Sequence, residues 1–329
     1  MDIAFAVILF LFGLGFVLFG GDFLVSSALR LCNVTGWGKA LVGATIVAVS
    51  TVTPELFISV FAAWEGNHGI AVGNAIGGMI ANVALVLGLY MVVAGGKIET
   101  KEILPRSIFM IGAFVLLFYF SYNKVIALYG SVILIALFLV YLAFSIKSTK
   151  VHAPSAKKSP NLRKVNTHPP YKKEIILVVL SILLGQVFLM GGAFLLVQNG
   201  GRIGDLTGVN QTVIGFTIIA IATAMPELVT VMSSVRKKSG EMALGNLLGT
   251  CIINATLLFG LSGIVATAVG SPLRISSQTL WISFPVLIGV SLVAIIPMLK
   301  NGKTNKWQGY LLVTTYAIYL GFIFFFKTG

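Results

Sequence analysis

Ten apolar runs of 18 to 27 residues, nearly free of charge, follow one another along the chain at about 3–29, 40–64, 70–94, 104–121, 125–146, 174–198, 211–235, 242–267, 276–298 and 307–326. Each can cross the hydrocarbon core of a bilayer as a helix of about 20 residues. Lipid offers backbone amides no partner, so only helices and closed barrels can span it. Barrel strands would show apolar residues alternating over about ten positions; these runs are continuous and contain glycine. The expected fold class is therefore an all-α polytopic membrane protein with ten transmembrane helices. With only 10% charged residues among 329, no stretch is left for a soluble domain of ordinary size. Function must then sit inside the bilayer. Met1 and Asp2 lead into the first run without a basic segment, so the first helix is expected to stay rather than be cleaved as a signal peptide.

The net charge of +13 would suggest a nucleic-acid partner in a soluble protein. Its placement gives a different answer. Taking the connectors alternately, one side of the membrane receives 19 of the 23 basic residues, including Arg30, Lys39, Lys97, Lys101, Arg106, Arg236, Lys237, Lys238 and the eight between Lys147 and Lys173. The other side receives Lys124, Arg202, Arg274 and Lys327. Basic residues collect in cytoplasmic loops, which predicts both termini outside and the 147–173 linker in the cytoplasm of a multi-pass cell-membrane protein that binds no nucleic acid. That linker is basic and rich in Ser and Pro, with little to bury, and reads as a solvated connection. Cys32 and Cys251 have neither disulfide nor metal-site spacing and are expected to be small buried side chains.

The chain also aligns with itself. Residues 13–88 match 185–260 at a constant offset of 172, with 24 of 76 pairs identical and no gap. The matches include Gly13 with Gly185, Gly20 with Gly192, Thr51 with Thr223, Pro54-Glu55 with Pro226-Glu227, Gly73-Asn74 with Gly245-Asn246, and Asn82 with Asn254. Each copy carries five spans, an odd number, so the second must enter the membrane in the opposite direction. Inverted-topology repeats of this kind build secondary transporters, whose sites lie near the bilayer midplane where the copies meet. The expected organisation is a first five-helix repeat over 1–146 with its motif at 43–88, the linker, and a second, inverted repeat over 174–329 with its motif at 215–260.

Among ten acidic residues, Glu55 and Glu227 alone fall in the middle of expected spans, and they are repeat partners. A carboxylate at mid-bilayer costs at least a few kcal/mol, so it implies function. Pro54 and Pro226 precede the two acids and lack the N–H that would bond the carbonyls of Ser50 and Ala222. Helices broken there would expose bare oxygens. Thr51 and Thr223 stand one turn before each Glu, on the same face. On the following helices Asn74, Gly78, Asn82 and their copies Asn246, Thr250, Asn254 share one face at i, i+4, i+8. Carboxylates, carbonyls, hydroxyls and carboxamides without Cys or His make an oxygen site for a hard cation. Two negative charges suit a divalent ion, and Ca2+ tolerates irregular coordination better than Mg2+.

The segments GATIVAVSTVTPEL at 43–56, GNAIGGMIANVALVLG at 73–88, GFTIIAIATAMPELV at 215–229 and GNLLGTCIINATLLFG at 245–260 resemble the two α-repeats of the cation/Ca2+ antiporter superfamily, most closely its prokaryotic Na+/Ca2+ exchanger-type members. The resemblance covers essentially all ten spans. It implies alternating access, in which the first and sixth helices slide against the remaining core. It also implies that Glu55 and Glu227 bind Ca2+ and counter-ion in turn, that Thr51 and Thr223 complete the Ca2+ site with backbone oxygens, and that Ala48 and Ala220 supply carbonyls to flanking cation sites.

The chain departs from that pattern. Where the family reads Gly-Thr-Ser-x-Pro-Glu, this sequence has Ser50-Thr51-Val52-Thr53-Pro54-Glu55 and Ala222-Thr223-Ala224-Met225-Pro226-Glu227. The family's Gly-Ser becomes Gly77-Gly78 and Gly249-Thr250, and an acid common in the second copy is Asn254. Fewer hydroxyls and one charge less weaken the case for three dehydrated Na+. Two carboxylates are neutralised by one Ca2+ or by two H+, which makes electroneutral 2 H+ per Ca2+ exchange the simplest match. Na+ is the alternative, because the Pro-Glu motifs look more like those of Na+ exchangers. Asp22 reads as an acid at the outer interface, and Gln186 as half of an interhelical hydrogen bond. A cation channel is the nearest rival, but no loop resembles a selectivity filter. An enzyme is not expected, since His68, His152 and His168 fall in connectors and no span carries a catalytic spacing. No cofactor is expected; Ca2+ and a monovalent counter-ion are cargo.

Overall fold

The computed structural model describes residues 3–151, 172–207 and 220–325, and their regular elements are all helical. Ten rods follow in order: α1 (Ile3–Thr35), α2 (Lys39–Trp64), α3 (His68–Ala94), α4 (Thr100–Ser121), α5 (Leu128–Val151), α6 (Lys172–Thr207), α7 (Ala220–Arg236), α8 (Gly240–Ala268), α9 (Thr279–Asn301) and α10 (Lys306–Phe325). Eight of them, all but α7 and α10, are long and apolar enough to cross a membrane. Most of the expected linker, residues 152–171, lies outside the described part. So do residues 208–219, which hold the expected start of the seventh span.

Three expectations need correction. First, α1 and α6 continue to Thr35 and Thr207, well past the ends of their apolar runs. A helix carries its own hydrogen bonds and need not stop where lipid stops, so polar residues such as Arg30 and Arg202 ride on it into the interface. At 1.5 Å per residue these rods are about 50 Å long, well beyond the hydrocarbon thickness. Second, Pro54 and Pro226 do not break their helices; each sits inside a continuous α-helix. One proline deletes one i→i−4 bond, and the flanking turns, held by neighbouring helices, carry the rod past it. Third, Arg106 is not in a connector. It lies inside α4, is only 6% exposed, and donates from Nη1 to the Glu102 carbonyl at 2.5 Å.

The irregular backbone lies elsewhere. Widened π-helical turns occur at Gly43–Val47 in α2, Ala81–Val86 in α3, Asn254–Leu258 in α8 and Thr279–Ser283 in α9. The α3 and α8 turns coincide under the repeat offset, and both contain the paired asparagines Asn82 and Asn254. A π-turn shifts side chains off the regular helical face and loosens local carbonyls.

Packing divides the rods into two groups. The larger hydrophobic cluster joins α2–α5 with α7–α10, through residues such as Ile80, Met91, Phe114, Leu248, Phe259 and Phe284. A second cluster is built mainly from α1 and α6, with Val17, Leu24, Leu189 and Leu196 at its centre. α1 and α6 cross in antiparallel sense at small residues. A Cβ on Gly13 would lie 2.9 Å from the Gly192 carbonyl, and one on Gly20 would lie 3.0 Å from the Gly185 carbonyl. Phe188 stacks edge-on between Phe16 and Phe19 beside this crossing. α2 and α8 approach as closely: a Cβ on Gly245 or Gly249 would meet the carbonyl of Ala40 or Ala44 at 2.3 and 2.4 Å. Connectors at opposite ends are tied by isolated antiparallel bridges, Lys97 with Lys303 and Val125 with Arg274.

Candidate functional site

α2 and α7 bring Glu55 and Glu227 side by side: the electrostatic neighbours of the Glu227 carboxyl are Glu55 and the Thr51 hydroxyl. Glu55 is 3% exposed and Glu227 fully buried. Neither Glu227 oxygen, nor Oε2 of Glu55, makes a hydrogen bond among the described residues. A buried, unsatisfied polar group costs about 1–3 kcal/mol, and more when charged. Two such groups facing each other cost the fold stability unless something neutralises them.

The asparagines complete the cluster. Asn82 and Asn254 are 2% and 0% exposed. Nδ2 of Asn82 and both polar side-chain atoms of Asn254 have no partner among the described residues. A Cβ on Gly78 would stand 3.9 Å from Asn254 Nδ2, so the missing side chain leaves room in front of the amide. The hydroxyls of Ser50 and Thr51 donate back along their own helix, to Ile46 at 2.8 Å and Ala48 at 3.2 Å. Their protons are thus used and their lone pairs remain free to face a cation. The Ala48 carbonyl accepts from Thr51, while fully buried Thr250 donates weakly to Asn246 Oδ1 at 3.5 Å. Thr223 is half-buried, and Ala220 is the first described residue of α7.

Two asparagines on the same helices have another job. Asn74 Nδ2 donates to the Glu55 carbonyl at 3.1 Å and to Ser59 Oγ at 2.9 Å. Asn246 Nδ2 donates to Thr230 Oγ1 at 3.1 Å, whose hydroxyl in turn reaches the carbonyls of Pro226 and Glu227 at 2.9 and 3.0 Å. Each ties the turn carrying a glutamate to the next helix of its hairpin. The repeated Gly-Asn pair was the visible signal, but its spacing could not separate a clamp from a ligand.

Prolines show where the fold satisfies itself and where it does not. Pro297 in α9 leaves the Val293 carbonyl without its helical donor, and the buried Gln308 amide on α10 supplies one at 3.1 Å. Pro54 frees the Ser50 carbonyl in the same way. No side chain among the described residues donates to that oxygen.

A cavity of about 630 Å3 leads to Glu55. Its described walls carry Asn74, Gly78 and Asn82 from α3, Thr223 from α7, Thr279 and Ser283 from α9, and Tyr316 and Tyr319 from α10. It extends to Gly69, Ile70, Ser276 and Gln278, beside the α2–α3 and α8–α9 connectors. Glu227, Thr250 and Asn254 are not among its described lining residues.

Other readings sort as follows. Gln186 on α6 donates to Thr53 Oγ1 on α2 at 2.9 Å, the interhelical bond expected of it. Asp22 does not sit with the poorly charged connectors. It accepts from Ser233 Oγ at 2.7 Å, pairs closely with Lys237 and lies 3.6 Å from Arg236, at the basic end of the molecule. Twenty residues of helix separate it from the start of α1, which places it near the Arg30 end, as the run 3–29 with the N-terminus on the other side already required. His68 opens α3 and bonds Ser271 at 2.9 Å; His152 and His168 lie outside the described residues. Cys32 and Cys251 are free and buried.

Comparison with known proteins completes the description. The pattern of the family described as sodium/calcium exchanger protein matches residues 5–147 and 177–325. The chain is 28% identical to the sodium/calcium exchanger MaX1 of Methanosarcina acetivorans, over 97% of this chain and 98% of that one. It is 25% identical to the inner membrane protein YrbG of Escherichia coli, over 97% of each. Its fold is similar to that of the sodium-calcium exchanger NCX_Mj soaked with 10 mM Na+ and no Ca2+, with a TM-score of 0.80, 26% identity and coverage of 97% and 99%.

Proposed function

Since the chain belongs to the sodium/calcium exchanger family of multi-pass membrane transporters, we propose that it is a secondary Ca2+/H+ antiporter, exporting Ca2+ by alternating access through one site at Glu55 and Glu227. The observation that carries this is the pair of buried, adjacent carboxyls, three of whose four oxygens have no hydrogen-bond partner among the described residues. One Ca2+ or two H+ restores neutrality there. Thr51, Thr223 and the Ser50 carbonyl extend the Ca2+ coordination, with Asn82 and Asn254 closing the site from α3 and α8. The carbonyls of Ala48 and Ala220 and the hydroxyl of Thr250 flank it. An antiporter needs this site to face one side at a time, and the cavity that reaches Glu55 extends to the α2–α3 and α8–α9 connectors.

Ten spans in two inverted five-helix repeats account for the contacts. The pairs Gly13–Gly192 and Gly20–Gly185 exchange under the repeat offset, as a two-fold axis in the membrane requires. The bridges Lys97–Lys303 and Val125–Arg274 join the α3–α4 connector to α9–α10 and the α4–α5 connector to α8–α9, pairings that exchange, connector for connector, when the halves exchange. With basic connectors inside, both termini and the mouth of the cavity face outward across the cell membrane, and the 147–173 linker is cytoplasmic.

Na+ is the second reading for the counter-ion, favoured by relatives named as sodium/calcium exchangers. Against it stand Gly78 and Asn254, which supply neither hydroxyl nor charge at the flanking positions. The deciding experiment is 45Ca2+ uptake into proteoliposomes with the membrane potential clamped. Uptake into vesicles with an acidic lumen, in the absence of Na+, is the expected result. Uptake that requires luminal Na+ and ignores ΔpH would replace H+ by Na+. No gradient-driven uptake of any kind would sink the antiporter reading.

A further inference from the structure

Among the described residues, polar ties at Gln186 and Asp22 join the α1–α6 pair to α2 and α7, and the sequence of the other repeat reproduces neither. On α6, Gln186 donates to Thr53 of α2, two residues before Glu55. Its neighbours Leu183, Leu184 and Val187 are about half exposed or more, so nothing else on that face calls for an amide. On α1, Asp22 holds Ser233 and Lys237 at the end of α7. At the offset of 172, Gln186 and Thr53 correspond to Leu14 and Met225, while Asp22, Ser233 and Lys237 correspond to Phe194, Phe61 and Glu65.

An inverted repeat relates its two end states by exchange of the halves. In the state opposite to this one, α1 lies against α7 as α6 now lies against α2, and Leu14 meets Met225. Likewise α6 lies against α2 as α1 now lies against α7, bringing Phe194 to Phe61 and Glu65. Both polar ties are then lost, and the contacts that replace them contain no hydrogen bond or ion pair. An interaction made in only one state shifts the equilibrium toward it by its full strength. Resting on the antiporter reading, we infer that Gln186 and Asp22 are positioning residues that hold the α1–α6 pair where the Glu55 cavity opens outward, so that the difference between the repeats biases the empty transporter toward that state.

The test reads the state directly. Spin labels at Val187→Cys on α6 and Tyr119→Cys on α4, both exposed positions, report the setting of the pair as two distance populations in liposomes without Ca2+ or gradients. The native cysteines are buried and serve as the unlabelled background. Gln186→Leu and Asp22→Ala should each lower the ratio of present to opposite state by about threefold, the average worth of an interhelical hydrogen bond in a membrane. Leu14→Gln with Met225→Thr builds the missing tie for the opposite state and should shift the ratio the same way, even if a loss variant fails to fold. Ratios unchanged in the folded variants, or moved toward the present state, overturn the inference. A failure of the antiporter reading is distinguishable, because that would abolish Ca2+ flux while leaving these ratios as stated.

Discussion

Glu227 is the residue whose surroundings most resist a structural explanation. It is fully buried, both its oxygens lack hydrogen bonds among the described residues, and its neighbour is another carboxyl. Replacing either acid by its neutral isostere keeps the shape and removes half of the charge opposing Ca2+. Glu55→Gln and Glu227→Gln are each expected to reduce Ca2+ exchange in proteoliposomes by at least a hundredfold; full activity in either would mean that the pair is not one site. Asn254→Asp adds a third buried carboxyl and should make Ca2+ uptake rise with luminal Na+. An unchanged Na+ response in the folded variant would argue against charge count as the selector of counter-ion. That both acids would be buried and brought together was legible in the sequence, because Pro-Glu recurs at the repeat offset in charge-free runs. The division of labour among the asparagines was not. Asn74 and Asn82 lie on one helical face, and only the position of Ser59 and the Glu55 carbonyl makes the first a clamp.

At the scale of elements, the rods were legible because the cost of exposing backbone to lipid forces long apolar runs into helices. Their ends and irregularities were not. The extra turns of α1 and α6 contain polar residues that hydropathy reads as loop, and the π-turns follow from packing between rods rather than from any local signature. The notion that Pro54 interrupts α2 failed for a related reason: neighbouring helices hold the turns on either side of it. The crossing of α2 and α8 gives the clearest element-level prediction. A Cβ at Gly249 would come within 2.4 Å of the Ala44 carbonyl, whereas one at Gly289 meets nothing within 4 Å among the described residues. Gly249→Ala should destabilise the protein by about 1–3 kcal/mol, as overpacking does. Gly289→Ala should be neutral or slightly stabilising, since glycine within a helix costs about 0.5–1 kcal/mol relative to alanine. Thermal unfolding in detergent compares the two, and equal melting points would show that α2 and α8 can separate freely.

Across the whole molecule, the repeat offset and the distribution of basic residues carry more information than any single motif, because each follows from how the entire chain must sit in a bilayer. They could not reveal that α1 and α6 supply most of a second hydrophobic cluster, which depends on contacts between residues more than a hundred positions apart. The contrast between Gln308, which caps the carbonyl freed by Pro297, and the uncapped oxygens around Glu55 has a consequence for heat resistance. A fold that completed the site with its own donors would be sturdier and could hold nothing else. The empty protein therefore unfolds with groups it never satisfied, and cargo that binds only the folded form supplies what is missing. At a Ca2+ concentration one hundred times the dissociation constant, that linkage is worth about 2.7 kcal/mol. Ca2+ should raise the melting temperature of the intact transporter by several degrees, and in Glu227→Gln the increment should vanish while the ion-free protein melts higher than its parent. Measured by the temperature at which it unfolds, the site is a weak point that its own cargo repairs.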